Sequence, residues 1–545
     1  MEYRKVMQDS AQADQEYYAE AAEHGDPEAM YRLGNLYERG ENGEPDYSEA
    51  VRWYRKAAQL NHPASMRKLG DAYLTGRGAG RNTAEFLRWY GRAAEQNDAP
   101  AMKGLGDACL VGRGVEQDPQ AAGAWYQKAA VLGNADAMYN LGIMYQTGDG
   151  VEQDDEEAMK WFHSAARRDN PRAMKKLGDA CLTGRRTEQD YRAAGDWYLR
   201  AADLGNVDAM FNLGVMYMNG QGVKRNPQAA GNWFARAAEL GNTDAMVNLG
   251  TMYMTGEGAE QDCRAAEDWY RKAAGLGDAN AMYNLGVLFE QGDGVSRNDS
   301  AAVGWYFRAA EKNSSQAMRK LGDACRYGRG TGQDLPAAVS WYRKAAELGD
   351  PEAMVELGVA YEKGSGADQD YGAAADWYRQ AADLDHAGAM LNLGLLYLNG
   401  HGVERSQMDA WSWFVRAAKR DNAEAMLNLG LLYMNRSGTV HDYRAARIWL
   451  EKAAQRGNAE AMKNLAFLYA RGLGGSRDPA RAADWYRHAA GREDPEAMYQ
   501  LGALYEQGDG VERDIPEAIR WYERAASLQN EQAAERLRQL GQEGN

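Results

Sequence analysis

The sequence predicts an all-α solenoid of stacked helical units, and three observations carry that prediction. Glycine recurs every 36 residues, at Gly34, Gly70, Gly106, Gly142, Gly178, Gly214, Gly250, Gly286, Gly322, Gly358, Gly394, Gly430 and Gly502, with Ala466 as the interruption. Tryptophan keeps the same beat at 14 positions, from Trp53 and Trp89 to Trp485 and Trp521. Helix-capping residues recur in register with both. A fixed period of this size marks units that bury their apolar faces by stacking on neighbours. Such a chain predicts a long binding surface; it does not predict a catalytic centre.

The unit from Asn134 to Asp169 shows how one copy folds. Asn134 is placed to cap a first helix. Ala137, Met138, Leu141, Gly142 and Tyr145 follow at spacings that line one helical face. Gly148 and Gly150 end that helix in a loop. Asp154 then caps a second helix, with Glu157 at the capping-box spacing. Ala158, Trp161, Phe162 and Ala165 form the apolar face of the second helix.

The caps are nearly as regular as the core. The column containing Asp46, Asn82, Asp118, Asp154 and Asp190 holds only Asp, Asn or Ser through 14 copies. Pro119, Pro227 and Pro479 take the following position, where a missing N–H is harmless. Gly25, Gly133, Gly205, Gly241 and Gly277 suit a left-handed residue after the second helix. A glycine inside a helix costs about 1 kcal/mol against Ala. Its recurrence predicts close helix packing, with the Ala57-Ala58 and Ala129-Ala130 type pairs facing it and Trp161 or Trp197 filling the wider gap between units.

Length alone would suggest three or four globular domains in 545 residues. The unbroken repeat overrides that prior, and only 12 prolines occur, with no Ser- or Pro-rich linker. A formal net charge of −16, with acids and bases mixed, argues against nucleic acid and anionic membranes. No apolar run is long enough for a membrane span. The opening residues lack the apolar core of a signal peptide, so the chain as it stands reads as cytoplasmic, or exported if a signal segment was removed. Cys109, Cys181 and Cys325 occupy a column filled elsewhere by Tyr37, Tyr145 or Tyr217, and with Cys263 they read as buried thiols, not disulfides.

The pattern carried by Ala137-Met138, Leu141-Gly142, Tyr145, Gly148, Gly150-Val151, Asp154, Ala158, Trp161-Phe162 and Ala165-Ala166 resembles the Sel1-like repeat. The resemblance covers essentially residues 10 to 541. It implies a right-handed superhelix of antiparallel helix pairs, close to the tetratricopeptide arrangement. It gives one continuous array over 1–545, with an N-terminal partial repeat at about 10–25 and a C-terminal capping helix at about 531–541. Proteins of this family commonly act as adaptors or scaffolds. One branch has paired cysteines in each repeat and β-lactam-related activity, and this sequence lacks those pairs.

By that resemblance the first helix of each pair lines a concave groove, through the residue after Met and the residue after the helix Gly. These are four apart and share a face. One set is charged: Arg67/Asp71, Lys103/Asp107, Lys175/Asp179 and Arg319/Asp323. Each pair either neutralises itself or joins a lattice that reads polar peptide groups. The other set is apolar: Phe211/Val215, Tyr283/Val287, Val355/Val359, Leu391/Leu395 and Leu427/Leu431, continued by Leu398 and Met434. This stripe is either buried by a tight superhelix or open to a partner.

Trp411 is the one tryptophan outside the 14-copy column, at the position of Gly123, Gly195 and Ala375. It either anchors a partner or covers a local gap against the next repeat. The nearby Asn435, Arg436, Ser437, Gly438 and His441 depart from the usual loop, so 390–441 is the favoured patch. No HExxH, CxxC or Walker loop occurs. Gly328-Arg329-Gly330 and Gly508-Asp509-Gly510 lack the preceding strand of a dinucleotide site. Asp154 reads as a cap, without the ligand spacing of a calcium loop. The expectation is a non-enzymatic adaptor for a protein or peptide, with no cofactor or metal. The alternatives are a self-associating scaffold, such as a weak homodimer through the apolar stripe, and an enzyme with a site assembled across repeats.

Overall fold

A computed structural model describes residues 15–41, 44–184, 188–435 and 442–543. The chain divides into two compact units, Met1–Lys272 and Ala273–Asn545, and the division falls within the helix Cys263–Gly275. Thirty α-helices and no strand are found among the described residues. The first unit opens with a helix at 15–23, followed by pairs such as Pro27–Arg39 with Tyr47–Gln59 and Pro171–Thr183 with Tyr191–Asp203. The second runs from the pair Ala279–Gln291 and Asp299–Glu311 to the single last helix Glu531–Glu543. Inside each unit, consecutive helices pack on each other in chain order, as a solenoid requires.

The expected caps are present. The Asp190 carboxylate accepts from the backbone N–H of Arg192 and of Ala193, and Asn206 accepts from Ala209 N–H. His62 and His386 serve as caps through ring Nδ1, accepting from the N–H of Ser65 and Ala389. Asp154 accepts from the N–H of Glu156 and Glu157, while the Glu157 carboxylate turns to Lys160 at 2.9 Å. Where glycine is missing after a second helix, Asn61, Asn97, Asp169 and Asp385 adopt the left-handed conformation, which Asn and Asp tolerate best among side-chain-bearing residues.

The core of a typical pair is a column of buried Ala, Met and Leu from the first helix against the Ala pair and an aromatic ring of the second, with Leu450 replacing the ring in one pair. The helix glycine faces that ring, not the Ala pair the sequence suggested. A Cβ on Gly178 would lie 2.5 Å from Cε1 of Tyr198, and one on Gly214 would lie 2.4 Å from Phe234. Ring thickness is thus what excludes a side chain there. The second loop glycine has a separate role. Gly222 has φ 70°, and a Cβ on it would lie 2.5 Å from the backbone carbonyl of Tyr191 in the preceding repeat. The recurring tryptophans are mostly half-buried, with Trp53 and Trp89 buried. A cation three residues on covers many of these rings: Lys128 lies 4.4 Å from the Trp125 centroid and Arg200 lies 4.7 Å from Trp197. Cys109, Cys181 and Cys325 are free and half-buried, less enclosed than expected, and burial pushes each thiol pKa up.

Candidate functional site

The charged pairs on the first helices split according to the cap of the next repeat. Lys103 reaches Asp107 at 2.7 Å and Lys175 reaches Asp179 at 2.8 Å, as four-residue spacing allows. Arg67 and Arg319 instead reach forward to the caps of the next first helices, Asp98 at 3.3 Å and Asp350 at 3.5 Å. The next cap is a carboxylate for these two arginines but the neutral Asn134 or Asn206 for the two lysines, and Lys463 in the same column likewise reaches an acidic cap, Asp494, at 3.2 Å.

All four aspartates have a further partner that the sequence reading missed. Tyr90 donates to Asp71 at 2.5 Å, Tyr126 to Asp107, Tyr198 to Asp179 and Tyr342 to Asp323, each of these three at 2.8 Å. The donor is the ring that packs on the helix glycine. Burial pushes the Asp71 pKa above its ordinary value, against the lowering effects of the Tyr90 hydrogen bond and the Arg67 charge. Burial, and then the neighbouring aspartate charge, push the Tyr90 and Tyr198 hydroxyls upward. These aspartates therefore hold the helix pair together as well as lining its face.

Where the residue after the glycine is not acidic, the hydroxyl turns to a polar residue there, as Tyr270 does to Thr251 at 3.1 Å, or to a glutamate one turn later. Tyr306 donates to Glu290 at 2.6 Å beside Val287, and Tyr378 donates to Glu362 at 2.7 Å beside Val359. Where the second helix offers Phe162, Phe234, Phe414 or Leu450, no hydroxyl needs an acceptor. The residue after the glycine is then Ile143, Val215, Leu395 or Leu431. Much of the charged-versus-apolar division thus follows from core hydrogen bonding. The readable signal was the Tyr/Phe/Leu column on the second helix.

The apolar residues are not equally available. Phe211 packs on Phe234 with centroids 5.7 Å apart, and Tyr283 packs on Tyr306 at 5.8 Å. Leu391 and Leu427 are buried. Val215, Val287, Val355, Val359, Leu395, Leu398, Leu431 and Met434 are half-buried. Arg436, Ser437, Gly438 and His441 lie outside the described residues, as do residues 10–14 of the expected partial repeat.

Trp411 sits on the second helix Gln407–Lys419 and is 41% exposed, next to Met408 at 80%. Its indole N–H donates to the Tyr433 hydroxyl at 3.0 Å, on the following first helix Ala423–Met434. In some other repeats an arginine of the preceding second helix makes this bond, as Arg343 does to Tyr361 at 2.6 Å and Arg487 to Tyr505 at 3.1 Å. The equivalent residue here is Val415. Trp411 thus supplies the missing donor to the next repeat while its ring stays at the surface. Gln407, Met408, Asp409, Trp411, Ser412, Leu432 and Tyr433 line an open pocket of about 510 Å³.

Among the described residues, no group of three or more His, Cys, Asp or Glu is arranged to hold a metal ion, and no helix is long and apolar enough to cross a membrane.

The Sel1 repeat family profile matches 14 consecutive stretches: 27–62, 63–98, 99–134, 135–170, 171–206, 207–242, 243–278, 279–314, 315–350, 351–386, 387–422, 423–458, 459–494 and 495–530. Among solved structures the chain is similar to c5321, a protective antigen present in uropathogenic Escherichia coli strains that displays an SLR fold. Identity is 30% and the TM-score 0.58, over 86% of this chain and 96% of that one. It is also similar to a Sel1 repeat protein from Oxalobacter formigenes, at 30% identity and a TM-score of 0.45, over 56% of this chain and 88% of that one. No curated protein matches the sequence.

Proposed function

We propose that this chain, which belongs to the Sel1 repeat family, works as a non-enzymatic scaffold that recruits a protein or peptide, with 390–434 as the principal contact region. One observation carries the placement. Met408 and Trp411 are exposed beside a pocket, and Trp411 is the one aromatic residue in a column that elsewhere varies from Gly123, Gly195 and Ala375 to Val339, Met159 and Arg447. Exposed aromatic and methionine side chains at a concave site are the usual anchors of protein recognition. Leu395, Leu398, Leu431 and Met434 extend the apolar character of this region. The first-helix face with Arg67, Asp71, Lys103, Asp107, Lys175, Asp179, Arg319 and Asp323 is the secondary surface.

Affinity capture from the native cell lysate, comparing wild type with Trp411→Ala, tests this reading. A protein retained by wild type and lost by the folded variant is the expected result. Equal capture by both overturns the placement and moves attention to the charged face. Concentration-dependent mass that Trp411→Ala abolishes would replace the foreign partner with a second copy.

A further inference from the structure

The pocket around Trp411 combines three properties that narrow what fits it, and the inference rests on reading 390–434 as a protein-binding region. Its apolar lining comes from Met408, Trp411, Leu432 and Tyr433, on two helices of adjacent repeats. The Trp411 N–H already donates to Tyr433, so the indole offers a ligand chiefly hydrocarbon. Among the described residues that line it, Asp409 is the one that carries a charge.

The backbone of the lining is helical. It presents no strand edge, and the cap at its start is taken up by the Asp409 N–H donating to the Ser406 hydroxyl at 3.1 Å. An extended segment would find no strand edge to pair with and would leave its own backbone to solvent. A helical segment brings its backbone already satisfied and binds through side chains alone. A pocket of about 510 Å³ accommodates more than one large side chain. Two apolar residues three or four apart on a helix meet that requirement. The carboxylate of Asp409, on a chain of net charge −16, favours a cationic flank.

We propose that this pocket docks an amphipathic helix of a partner protein, with apolar residues at i and i+3 or i+4 inserted beside Trp411 and Met408 and a Lys or Arg beside Asp409. The occupant differs in class from an extended peptide laid along the first-helix face.

The test uses the full chain and a display library of helical peptides randomised on one face. The expected outcome is enrichment of faces with two large apolar residues at helical spacing and a Lys or Arg. Selected peptides should bind wild type about tenfold more tightly than Trp411→Ala, the behaviour of an anchor residue. Trp411→Phe should keep most of the binding, because the ring and not the N–H makes the contact. Asp409→Asn should weaken binding and flatten its salt dependence. Circular dichroism establishes that each variant is folded. Failure to enrich any such helix, or equal binding by wild type and Trp411→Ala, overturns the proposal. The broader reading stands apart from this result: a lysate partner lost with Trp411→Ala while no helix is enriched would sink the helix and keep the region.

Discussion

Tyr198 donates its hydroxyl hydrogen bond to Asp179 at 2.8 Å, joining the second helix of a pair to the first. The same ring lies against Gly178, where a Cβ would approach within 2.5 Å. One residue thus sets both the helix spacing and the polarity of the position beside the glycine.

Tyr198→Phe removes this bond and leaves Asp179 with Lys175 alone. It should cost about 0.5–1.5 kcal/mol, the net value of a hydrogen bond. The set Lys175→Phe, Asp179→Val and Tyr198→Phe copies Phe211, Val215 and Phe234 from the next repeat and should recover most of that loss. Native-state hydrogen exchange in Pro171–Asp203 reads both, since a repeat array need not unfold in one step. Additive losses across the triple variant would show that the columns are independent.

Gly178→Ala gains about 1 kcal/mol of helix propensity but forces a methyl into the Tyr198 ring. Overpacking of this kind costs about 1–3 kcal/mol, so the net change should be destabilising. Exchange protection of the same helix pair is the readout. A stabilised variant would show that the ring moves aside freely.

Two loop substitutions separate backbone strain from crowding. Gly205 and Gly222 both have positive φ, yet a Cβ on Gly205 meets nothing within 4 Å. Gly205→Ala should therefore cost about 1–2 kcal/mol, from the left-handed conformation alone. Gly222→Ala should cost more, because its Cβ runs into the Tyr191 carbonyl of the preceding repeat. Equal losses would remove the inter-repeat role assigned to Gly222.

The chain's last helix carries a pH dependence. Hydrogen bonding from Arg536 holds the Glu506 carboxyl below its ordinary value; burial opposes this, and the Tyr522 hydroxyl adds to the lowering. A carboxylate with a depressed folded pKa stabilises the fold fully above its unfolded value of about 4.3. That contribution is lost as the pH falls through the lower folded value. Exchange in Glu531–Glu543 should therefore accelerate in acid below the ordinary glutamate range. In Arg536→Gln it should be fast at neutral pH already and change little across that window. An unchanged acid profile in the variant would contradict the assignment.

The repeat, the pairing and the caps were legible because each depends on local chemistry that recurs in register. Gly34 through Gly502 mark close packing, and Asp46 or Asn82 mark helix starts. The partner of the glycine was not legible in the same way. The Ala pair and the aromatic ring both lie on the second helix, and their rotation toward Gly178 is decided by packing. Leu391 and Leu427 illustrate the same limit. Their sequence shows apolar residues on one face, while their burial depends on how closely the adjacent helix approaches. The dual role of Asp179 was hidden because its nearest sequence partner, Lys175, already supplied a sufficient explanation.

The central claim, that 390–434 contacts a partner protein, is tested most directly by site-specific photo-crosslinking. A photoreactive phenylalanine analogue replaces Trp411 in one variant and Val131, which is 78% exposed and lies in the first unit, in another. Both are exposed to native cell lysate and irradiated. The account predicts a discrete cross-linked protein from position 411 and none from position 131. A partner joined only through position 131, or no adduct at 411 where wild type captures a partner, would contradict it.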